Sequence, residues 1–313
     1  MNLWLELLLF AVGLVLIIKG GDFFVDAASW LAEVSGIPKF IVGATIVSLA
    51  TTLPELLVSL MAAVDGKVDM AVGNAVGSVT ANTGLIMGLS LVFMAAAVRR
   101  KDYLVKSLLL IGSAAVVLGA SLGGSLAMWG SFVLLAIFLV FIYENLRSAK
   151  AERDNAERLQ PTKKEKIVNP IKFVLGAAGI VIGSRILVNS GSALAAMFGV
   201  PESIIAVTMV AIGTSLPELV TTITAIAKKQ SSLSVGNIIG ANIIDLTLIL
   251  PLCAVVSGET LPISAQSLSL DMPACLIVIV FALLPMLVRQ KFSRWQGFLL
   301  LGLYLVYMLV TVL

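Results

Sequence analysis

The sequence predicts an all-α membrane protein in which ten transmembrane helices form two inverted five-helix repeats. The first observation is composition: 59% of the 313 residues are hydrophobic and 12% are charged, whereas about a quarter of the residues in soluble domains are charged. The second is an internal duplication with a constant offset of 163 residues and no gap. The third is the distribution of basic residues among the loops, which predicts the orientation of each repeat.

Ten apolar stretches are long enough to cross about 30 Å of hydrocarbon. They cover residues 3–19, 39–64, 69–98, 104–122, 126–145, 171–188, 201–227, 231–257, 268–288 and 295–313. The last five stretches repeat the first five, so the first repeat is expected at 1–145 and the second at 171–313. The charged segment 146–170 between them is expected to be a cytoplasmic linker.

Loop charge predicts the orientation, because cytoplasmic loops retain Lys and Arg. The loops that follow the odd-numbered stretches contain 19 of the 21 basic residues, and the remaining two are Lys67 and Arg185. We therefore expect a protein of the plasma (inner) membrane with both termini extracytoplasmic. Because each repeat has an odd number of helices, the second repeat must enter the membrane upside down relative to the first.

A proline–glutamate motif lies inside the second helix of each repeat. The first copy is Ser48-Leu-Ala-Thr-Thr-Leu-Pro-Glu55, and the second is Ala211-Ile-Gly-Thr-Ser-Leu-Pro-Glu218. Pro54 and Pro217 have no backbone N–H to donate and push the preceding turn open, so helices 2 and 7 are predicted to be broken there. Backbone carbonyls freed in this way are tolerated at membrane depth only where they line a cavity.

Three carboxylates are predicted to lie deep in the membrane: Glu55, Glu218 and Asp245. One uncompensated carboxylate at the centre of a membrane-spanning helix costs about 3 kcal/mol, so three would cost about 9 kcal/mol, which rivals the stability of a typical fold. The sequence offers no Lys or Arg at that depth, and it contains no His. Bound cations or protons are therefore expected to compensate the acids, because acids buried for packing alone would need a basic or amide partner.

Other oxygen-bearing side chains accompany the two glutamates. Hydroxyl groups lie within one turn of each glutamate at Thr51, Thr52, Thr214 and Ser215. Asn82 has the place in the first repeat that Asp245 has in the second, so inverted symmetry puts both near the glutamates. Carboxylate, hydroxyl and carbonyl oxygens favour hard cations such as Ca²⁺ and Na⁺ over soft transition metals.

In these motifs the sequence resembles the sodium/calcium exchanger family of the calcium/cation antiporter superfamily. Both repeats of that family carry Gly-Thr-Ser-Leu-Pro-Glu followed by Gly-Asn-x-x-Gly-Ser-Asn. The second repeat matches closely, with Gly213-Thr-Ser-Leu-Pro-Glu218 and Gly236-Asn-Ile-Ile-Gly-Ala-Asn242. The first repeat departs more, with Ala50-Thr-Thr in place of Gly-Thr-Ser and Gly77-Ser-Val in place of Gly-Ser-Asn. The layout of ten stretches extends the resemblance over nearly the whole chain.

The resemblance implies roles for individual residues. It implies that Glu55 and Glu218 bind Ca²⁺ together with Thr51 and Thr214. It also implies that the glutamates share Na⁺ with Ser78, Asn82, Asp245 and the backbone carbonyls of Ser48 and Ala211. Ala241 stands where the family has a serine, so a hydroxyl group expected at one Na⁺ position is missing. In the family, helices 1 and 6 slide across the other eight to alternate access.

The resulting hypothesis is a secondary antiporter that exchanges Na⁺ for Ca²⁺ by alternating access, with both ions competing for shared carboxylates. Ca²⁺ and Na⁺ are then the substrates, and no cofactor, nucleic acid or obligatory protein partner is expected. Proton-coupled or K⁺-dependent Ca²⁺ antiport stays open as an alternative. A cation channel is disfavoured by the inverted repeat. An enzyme is not expected, because the sequence contains no HExxH and no Gly-x-x-x-x-Gly-Lys-Ser/Thr motif.

Overall fold

The computed structural model of the chain describes residues 3–93, 100–153, 160–199, 202–258, 260–289 and 291–312. Most of these residues belong to helices, which we number in chain order. The helices are α1 Leu3–Ser35, α2 Lys39–Thr51 continued by Leu53–Val64, α3 Val68–Phe93, α4 Arg100–Ser121, α5 Met128–Arg153, α6 Glu165–Met197, α7 Glu202–Ala227, α8 Ser231–Ser257, α9 Ser267–Arg289 and α10 Arg294–Val312. The structure is therefore nearly all-helical, as the sequence predicts.

Eight of these helices are long and apolar enough to cross a membrane, and the bent α2 makes a ninth when its two pieces count as one span. Helix α7 is not among them; the side chains of residues 202–212 lie outside the described part of the chain. The chain is thus confirmed as a membrane protein with eight or nine candidate spans. Ten transmembrane helices in an inverted arrangement stay a prediction.

Helices α1 and α6 are longer than the apolar stretches that predict them. Each contains 33 residues. Helix α1 continues beyond its apolar run because its later turns bury one face, which includes Phe24, Val25 and Ala28, and leave Asp26 exposed. A search for uninterrupted apolar residues does not detect an amphipathic continuation of this kind.

The proline–glutamate motif has a different backbone in the two repeats. In α2 the two pieces meet at Thr52 with a bend of 45°. Pro54 lies in the first turn of the second piece, where its missing N–H has no intrahelical partner to lose. Helix α7, in contrast, runs without interruption and has Pro217 inside it. The predicted break of helix 2 corresponds to the bend, whereas the predicted break of helix 7 is not seen, because packed neighbours let a membrane helix tolerate one proline.

Helices α3 and α8 each contain a π-helical turn, and the two turns begin at corresponding residues. They are Asn82–Met87 in α3 and Asp245–Ile249 in α8, so their first residues are related by the offset of 163. Single π turns inside α-helices often mark functional sites. Both repeats therefore distort the corresponding helix at the same position.

Helices α1 and α6 contact each other through glycines. A Cβ atom added to Gly13 would lie 3.0 Å from the carbonyl oxygen of Gly183, and one added to Gly20 would lie 2.9 Å from that of Gly176. Small residues at such positions allow two helix backbones to approach closely. The two contacts are equivalent under the offset of 163, because Gly13 corresponds to Gly176 and Gly20 corresponds to Gly183.

The interior of the protein is centred on α3 and α8. In their most apolar windows 72% and 78% of the residues are buried, compared with 17% in α1. One short antiparallel sheet, which the sequence does not predict, joins two loops: β1 Ser125–Leu126 between α4 and α5 pairs with β2 Leu261–Pro262 between α8 and α9. A loop from the first half of the chain is thereby hydrogen-bonded to a loop from the second half.

Candidate functional site

Three acidic side chains from three helices are buried close together. Glu55 lies in the first turn of the second piece of α2, Glu218 follows Pro217 in α7, and Asp245 begins the π turn of α8. Their relative exposures are 1%, 0% and 0%. The carboxyl groups of Glu218 and Asp245 lie near enough for their charges to act on Glu55, and the charge of Glu218 also acts on Asp245. The structure thus brings together the three acids that the sequence places deep in the membrane.

The carboxyl oxygens of these acids lack partners. Within the described part of the chain none of the oxygens of Glu55, Glu218 or Asp245 takes part in a hydrogen bond. The ion pairs formed by described residues also lie elsewhere. A buried polar group without a partner costs about 1–3 kcal/mol, and a charged one costs more. This group of acids therefore requires bound cations or protons.

Hydroxyl groups from the first repeat lie beside the acid of the second repeat. Thr51 and Thr52 lie beside the carboxyl group of Glu218, and Thr214 Oγ1 of the second repeat lies 3.5 Å from Ser78 Oγ of the first. Among the other predicted ligand side chains, Thr52 Oγ1, Ser215 Oγ and Asn82 Oδ1 are buried and have no partner within the described residues. Buried oxygens that lack hydrogen-bond donors can serve as ligands for a hard cation that has lost its water shell.

The two predicted carbonyl ligands are in different situations. The carbonyl oxygen of Ser48 accepts the backbone N–H of Thr52 at 2.9 Å, and the hydroxyl of Thr51 lies 3.3 Å from it. The single hydroxyl hydrogen of Thr51 can go either to this carbonyl or to Asn237 Oδ1 at 3.2 Å. The carbonyl has two lone pairs, so one of them is available to an ion when the hydrogen goes to Asn237. Ala211 lies in the stretch 202–212 of α7, whose side chains are outside the described residues, and the role of its carbonyl stays a prediction.

Acidic ligands alone do not complete an ion site here. Within the described residues no three Asp, Glu, His or Cys side chains are spaced to hold one metal ion. An ion bound at these acids would therefore need hydroxyl and carbonyl oxygens as further ligands. Such a mixed oxygen shell suits Ca²⁺ and Na⁺ better than it suits metals that prefer nitrogen or sulfur ligands.

Sequence reasoning missed the asparagines that hold the site together. Asn74 Nδ2 donates to the backbone carbonyl of Glu55 at 3.2 Å and to Ser59 Oγ at 2.9 Å. Asn237 Oδ1 accepts the hydroxyl of Thr51 at 3.2 Å. The signal was present in the sequence, because the two asparagines correspond under the offset of 163, but no role was predicted for them.

A buried lysine was also missed. Lys106 was counted with the loop after the third stretch, but it lies within α4 and is 1% exposed. Its Nζ atom lies 5.7 Å from the centre of the Phe40 ring, a distance at which a cation and an aromatic face attract each other. The count of basic residues in the loops is therefore one too high at this position.

A nearly all-helical membrane body around buried carboxylates without partners is the arrangement expected of a secondary cation transporter. A family model described as "Sodium/calcium exchanger protein" matches residues 5–146 and 169–313. The chain therefore belongs to the sodium/calcium exchanger family, whose members are transporters and not enzymes. The two matched segments lie on either side of the predicted linker.

Individual proteins are similar to the chain over nearly its whole length. It is 37% identical to the inner membrane protein YrbG of Escherichia coli (strain K12), with 96% of this chain and 94% of that protein covered. It is 29% identical to the sodium/calcium exchanger MaX1 of Methanosarcina acetivorans, with 97% of each covered. A structure of the sodium-calcium exchanger NCX_Mj soaked with Na⁺ and Sr²⁺ has a TM-score of 0.83 at 26% identity, covering 97% of this chain and 98% of that chain. These likenesses support antiport of cations, including Ca²⁺.

Proposed function

We propose that the protein exchanges Na⁺ for Ca²⁺ across the membrane by alternating access, and that the two ions compete for Glu55 and Glu218. The observation that carries this proposal is the burial of both glutamates and Asp245 without hydrogen-bond or ion-pair partners among the described residues. Cations supply the missing compensation, and an ion that occupies the shared carboxylates excludes the other. Membership of the sodium/calcium exchanger family supports the choice of the two ions.

In this proposal Ca²⁺ binds between Glu55 and Glu218, with the hydroxyl groups of Thr51 and Thr214 as further ligands. Thr52 and Ser215 provide additional hydroxyl oxygens nearby. The proposed Na⁺ ligands besides the glutamates are Ser78, Asn82, Asp245 and the carbonyls of Ser48 and Ala211. The unpartnered oxygens of Thr52, Ser215 and Asn82 support this assignment.

Charge explains why the protein exchanges ions instead of leaking them. With its three acids ionised and no cation bound, the site holds three negative charges in a space of low dielectric constant, where their repulsion is strong. Closing this site around no ion is unfavourable, so the protein changes conformation only when cations are bound. After it releases one ion, the protein can then return to its first conformation only with the other ion bound.

We also propose that residues 1–145 and 171–313 form two repeats of opposite orientation, joined by a cytoplasmic linker at 146–170, with both termini extracytoplasmic in the inner membrane. The π turns that begin at Asn82 and Asp245 support the two repeats, because they correspond under the offset of 163. The exchange of the glycine contacts between α1 and α6 under the same offset supports them as well.

The test is counter-ion dependence in proteoliposomes. Purified protein is reconstituted in liposomes loaded with Na⁺, and uptake of ⁴⁵Ca²⁺ is measured with pH clamped on both sides and without K⁺. Uptake that requires internal Na⁺ is the expected result. Uptake driven by a pH gradient alone would establish proton coupling instead, and uptake that appears only when K⁺ is added would establish K⁺ dependence. Asp69→Asn is the matched control, because Asp69 is an exposed carboxylate outside the site.

A further inference from the structure

The two repeats hold their site threonines in different ways. Thr214 of the second repeat has the hydroxyl of Ser78, from the first repeat, at 3.5 Å. Under the offset of 163 the corresponding pair is Thr51 and Ala241. Alanine has no hydroxyl group, so this second contact cannot form. Thr51 instead donates its hydroxyl hydrogen to Asn237 Oδ1 at 3.2 Å.

Asn237 does not perform the role of its counterpart in the first repeat. That counterpart, Asn74, donates to the carbonyl of Glu55 and to Ser59, both within its own repeat. Asn237 is completely buried, its amide nitrogen has no partner among the described residues, and its amide oxygen reaches across to the first repeat. The repeat in which the asparagine reaches across is thus also the repeat that has Ala241 in place of a serine.

We propose that Asn237 is a positioning residue that orients the hydroxyl of Thr51 towards the ion site, in place of the hydroxyl missing at Ala241. The proposal rests on the function proposed above. A hydroxyl group that gives its hydrogen to an amide oxygen turns its lone pairs away from that bond and can offer them to a cation. The other acceptor within reach of Thr51 is the carbonyl oxygen of Ser48 at 3.3 Å. By taking the hydrogen, Asn237 also leaves one lone pair of that carbonyl available for Na⁺, while the other accepts the backbone N–H of Thr52 at 2.9 Å.

The test measures ion affinity in the variants Asn237→Ala and Asn237→Ala/Ala241→Ser. Loss of Asn237 is expected to raise the KM for Ca²⁺ about tenfold with little change in kcat, since residues that orient a metal ligand typically contribute 10- to 100-fold in affinity. The serine hydroxyl at 241 should return the KM to within about threefold of wild type, because it gives Thr51 the kind of partner that Thr214 has. Thermal unfolding of each purified variant reports whether it is folded.

Asn74→Ala is the matched control. The partners of Asn74 are Glu55 and Ser59, so a serine at position 241 should not restore the Ca²⁺ affinity of this variant. Rescue of both alanine variants by Ala241→Ser, or of neither, would overturn the proposal. Thr51→Val provides an independent arm: in that background Asn237→Ala should change the affinity for Ca²⁺, measured by direct titration, by less than about twofold. The titration does not depend on the counter-ion, so a failure of Na⁺ coupling is distinguishable from a failure of this proposal.

A second, independent observation concerns the contact between α1 and the C-terminal end of α7. Lys228 Nζ, directly after α7, lies 2.7 Å from Asp26 Oδ1 and 3.2 Å from Asp22 Oδ1 of α1. Partial burial lowers the pKa of Lys228, but the hydrogen bonds to Asp26 and Asp22 outweigh this effect and raise the pKa above its usual value. The lysine therefore keeps its charge, and α1 is tied to α7 at this end.

The residues that correspond to this ion pair under the offset of 163 also have opposite charges, but with acid and base exchanged. Asp22 corresponds to Arg185 of α6, and Lys228 corresponds to Asp65 at the end of α2. Both residues are exposed, and no ion pair between them occurs in the described part of the chain. One end of the α1–α6 pair is thus connected to its neighbour, and the corresponding connection at the opposite end is open.

We infer that the two ion pairs alternate, so that the pair between Asp65 and Arg185 forms when that of Lys228 opens. Helices α1 and α6 contact each other backbone to backbone at their glycines, so they move together. In an inverted repeat the two halves exchange conformations during transport, which exchanges the closed and the open ion pair. This inference requires alternating access but not a particular counter-ion.

Disulfide trapping tests the inference in a Cys253→Ala/Cys275→Ala background. Asp26→Cys/Lys228→Cys should cross-link in the conformation described here, and Asp65→Cys/Arg185→Cys should cross-link only while the protein is transporting. Each cross-link is expected to arrest transport until it is reduced. The control Asp69→Cys/Arg185→Cys should not cross-link. Absence of a link between positions 65 and 185 during transport, or a link that forms without stopping transport, would contradict the alternation.

Discussion

The two repeats carry the same Leu-Pro-Glu motif, yet they place it on different backbones. In the first repeat α2 bends by 45° at Thr52, whereas in the second α7 continues as one helix through Pro217. Both glutamates are nevertheless fully buried and face the same group of oxygens. The local sequence therefore determines which side chains lie at the site, whereas the packing of the surrounding helices determines the backbone conformation of the motif.

The side chains around the motif differ as well. Asn82 in the first repeat corresponds to the acid Asp245 in the second, and Ser78 corresponds to Ala241. The scaffold is duplicated, but one repeat supplies an extra charge and the other an extra hydroxyl group. The set of polar groups around the acids is thus asymmetric, and under the proposed function this asymmetry would let Ca²⁺ and Na⁺ use the same carboxylates in different ways.

The largest effect is expected from the residues that the two repeats share. Glu55→Gln and Glu218→Gln should each reduce Na⁺-dependent ⁴⁵Ca²⁺ uptake to the level of liposomes without protein, because each removes one of the two charges proposed to bind Ca²⁺. Each variant should remain folded, which size-exclusion chromatography checks. Near-normal exchange in one of the two would show that the repeats do not contribute equally.

A smaller and more selective effect is expected where the repeats differ in charge. Asp245→Asn makes the second repeat like the first, and it should raise the Na⁺ concentration for half-maximal exchange about tenfold, which corresponds to about 1.4 kcal/mol. The KM for Ca²⁺ should change much less. An unchanged Na⁺ dependence would remove Asp245 from the proposed Na⁺ ligands. Asp271→Asn, which alters an acid near the start of α9, is the control.

The two prolines should have unequal effects. Pro54→Ala restores an N–H that can bond to the carbonyl of Ala50, which favours a straight α2 by about 1 kcal/mol and should slow exchange about fivefold. Pro217→Ala should have less effect, because α7 is already continuous. Initial rates of ⁴⁵Ca²⁺ uptake compare the two variants. An equal or larger effect at 217 would mean that α7 also has to bend during transport.

The smallest effect is expected in the predicted linker that leads from the first repeat into the second. Glu165 Oε2 accepts the backbone N–H and the hydroxyl of Thr162, and the backbone N–H of Glu165 donates to Thr162 Oγ1. This reciprocal pair caps the start of α6. Thr162→Ala should lower the free energy of unfolding by about 1 kcal/mol, seen as a modest fall in Tm, without changing the KM for Ca²⁺.

Much of the site could be predicted from the sequence because duplication and burial leave strong signals. A carboxylate in an apolar stretch is costly to bury, so it indicates a functional site. Its recurrence at a fixed offset strengthens that interpretation. The positions of Glu55, Glu218 and Asp245 follow from that reasoning, and the structure buries all three together. The nearly all-helical fold follows from composition in the same way.

The remaining features depend on contacts between distant parts of the chain. The bend at Thr52 and the continuity of α7 arise from the same tripeptide, so no local rule separates them. The hydrogen bond from Thr51 to Asn237 joins residues from different repeats. Lys106 was counted with a loop although it lies inside the predicted stretch 104–122, and in the structure it is buried within α4 with its Nζ atom 5.7 Å from the centre of the Phe40 ring.

The pairing of β1 with β2 has a mechanical consequence. It joins the loop after α4 to the loop after α8, one from each half of the chain. Under the alternating access proposed above, the two halves would stay joined at this edge. We therefore expect the opening movement to take place between helices within the halves, and not by separation of one half from the other.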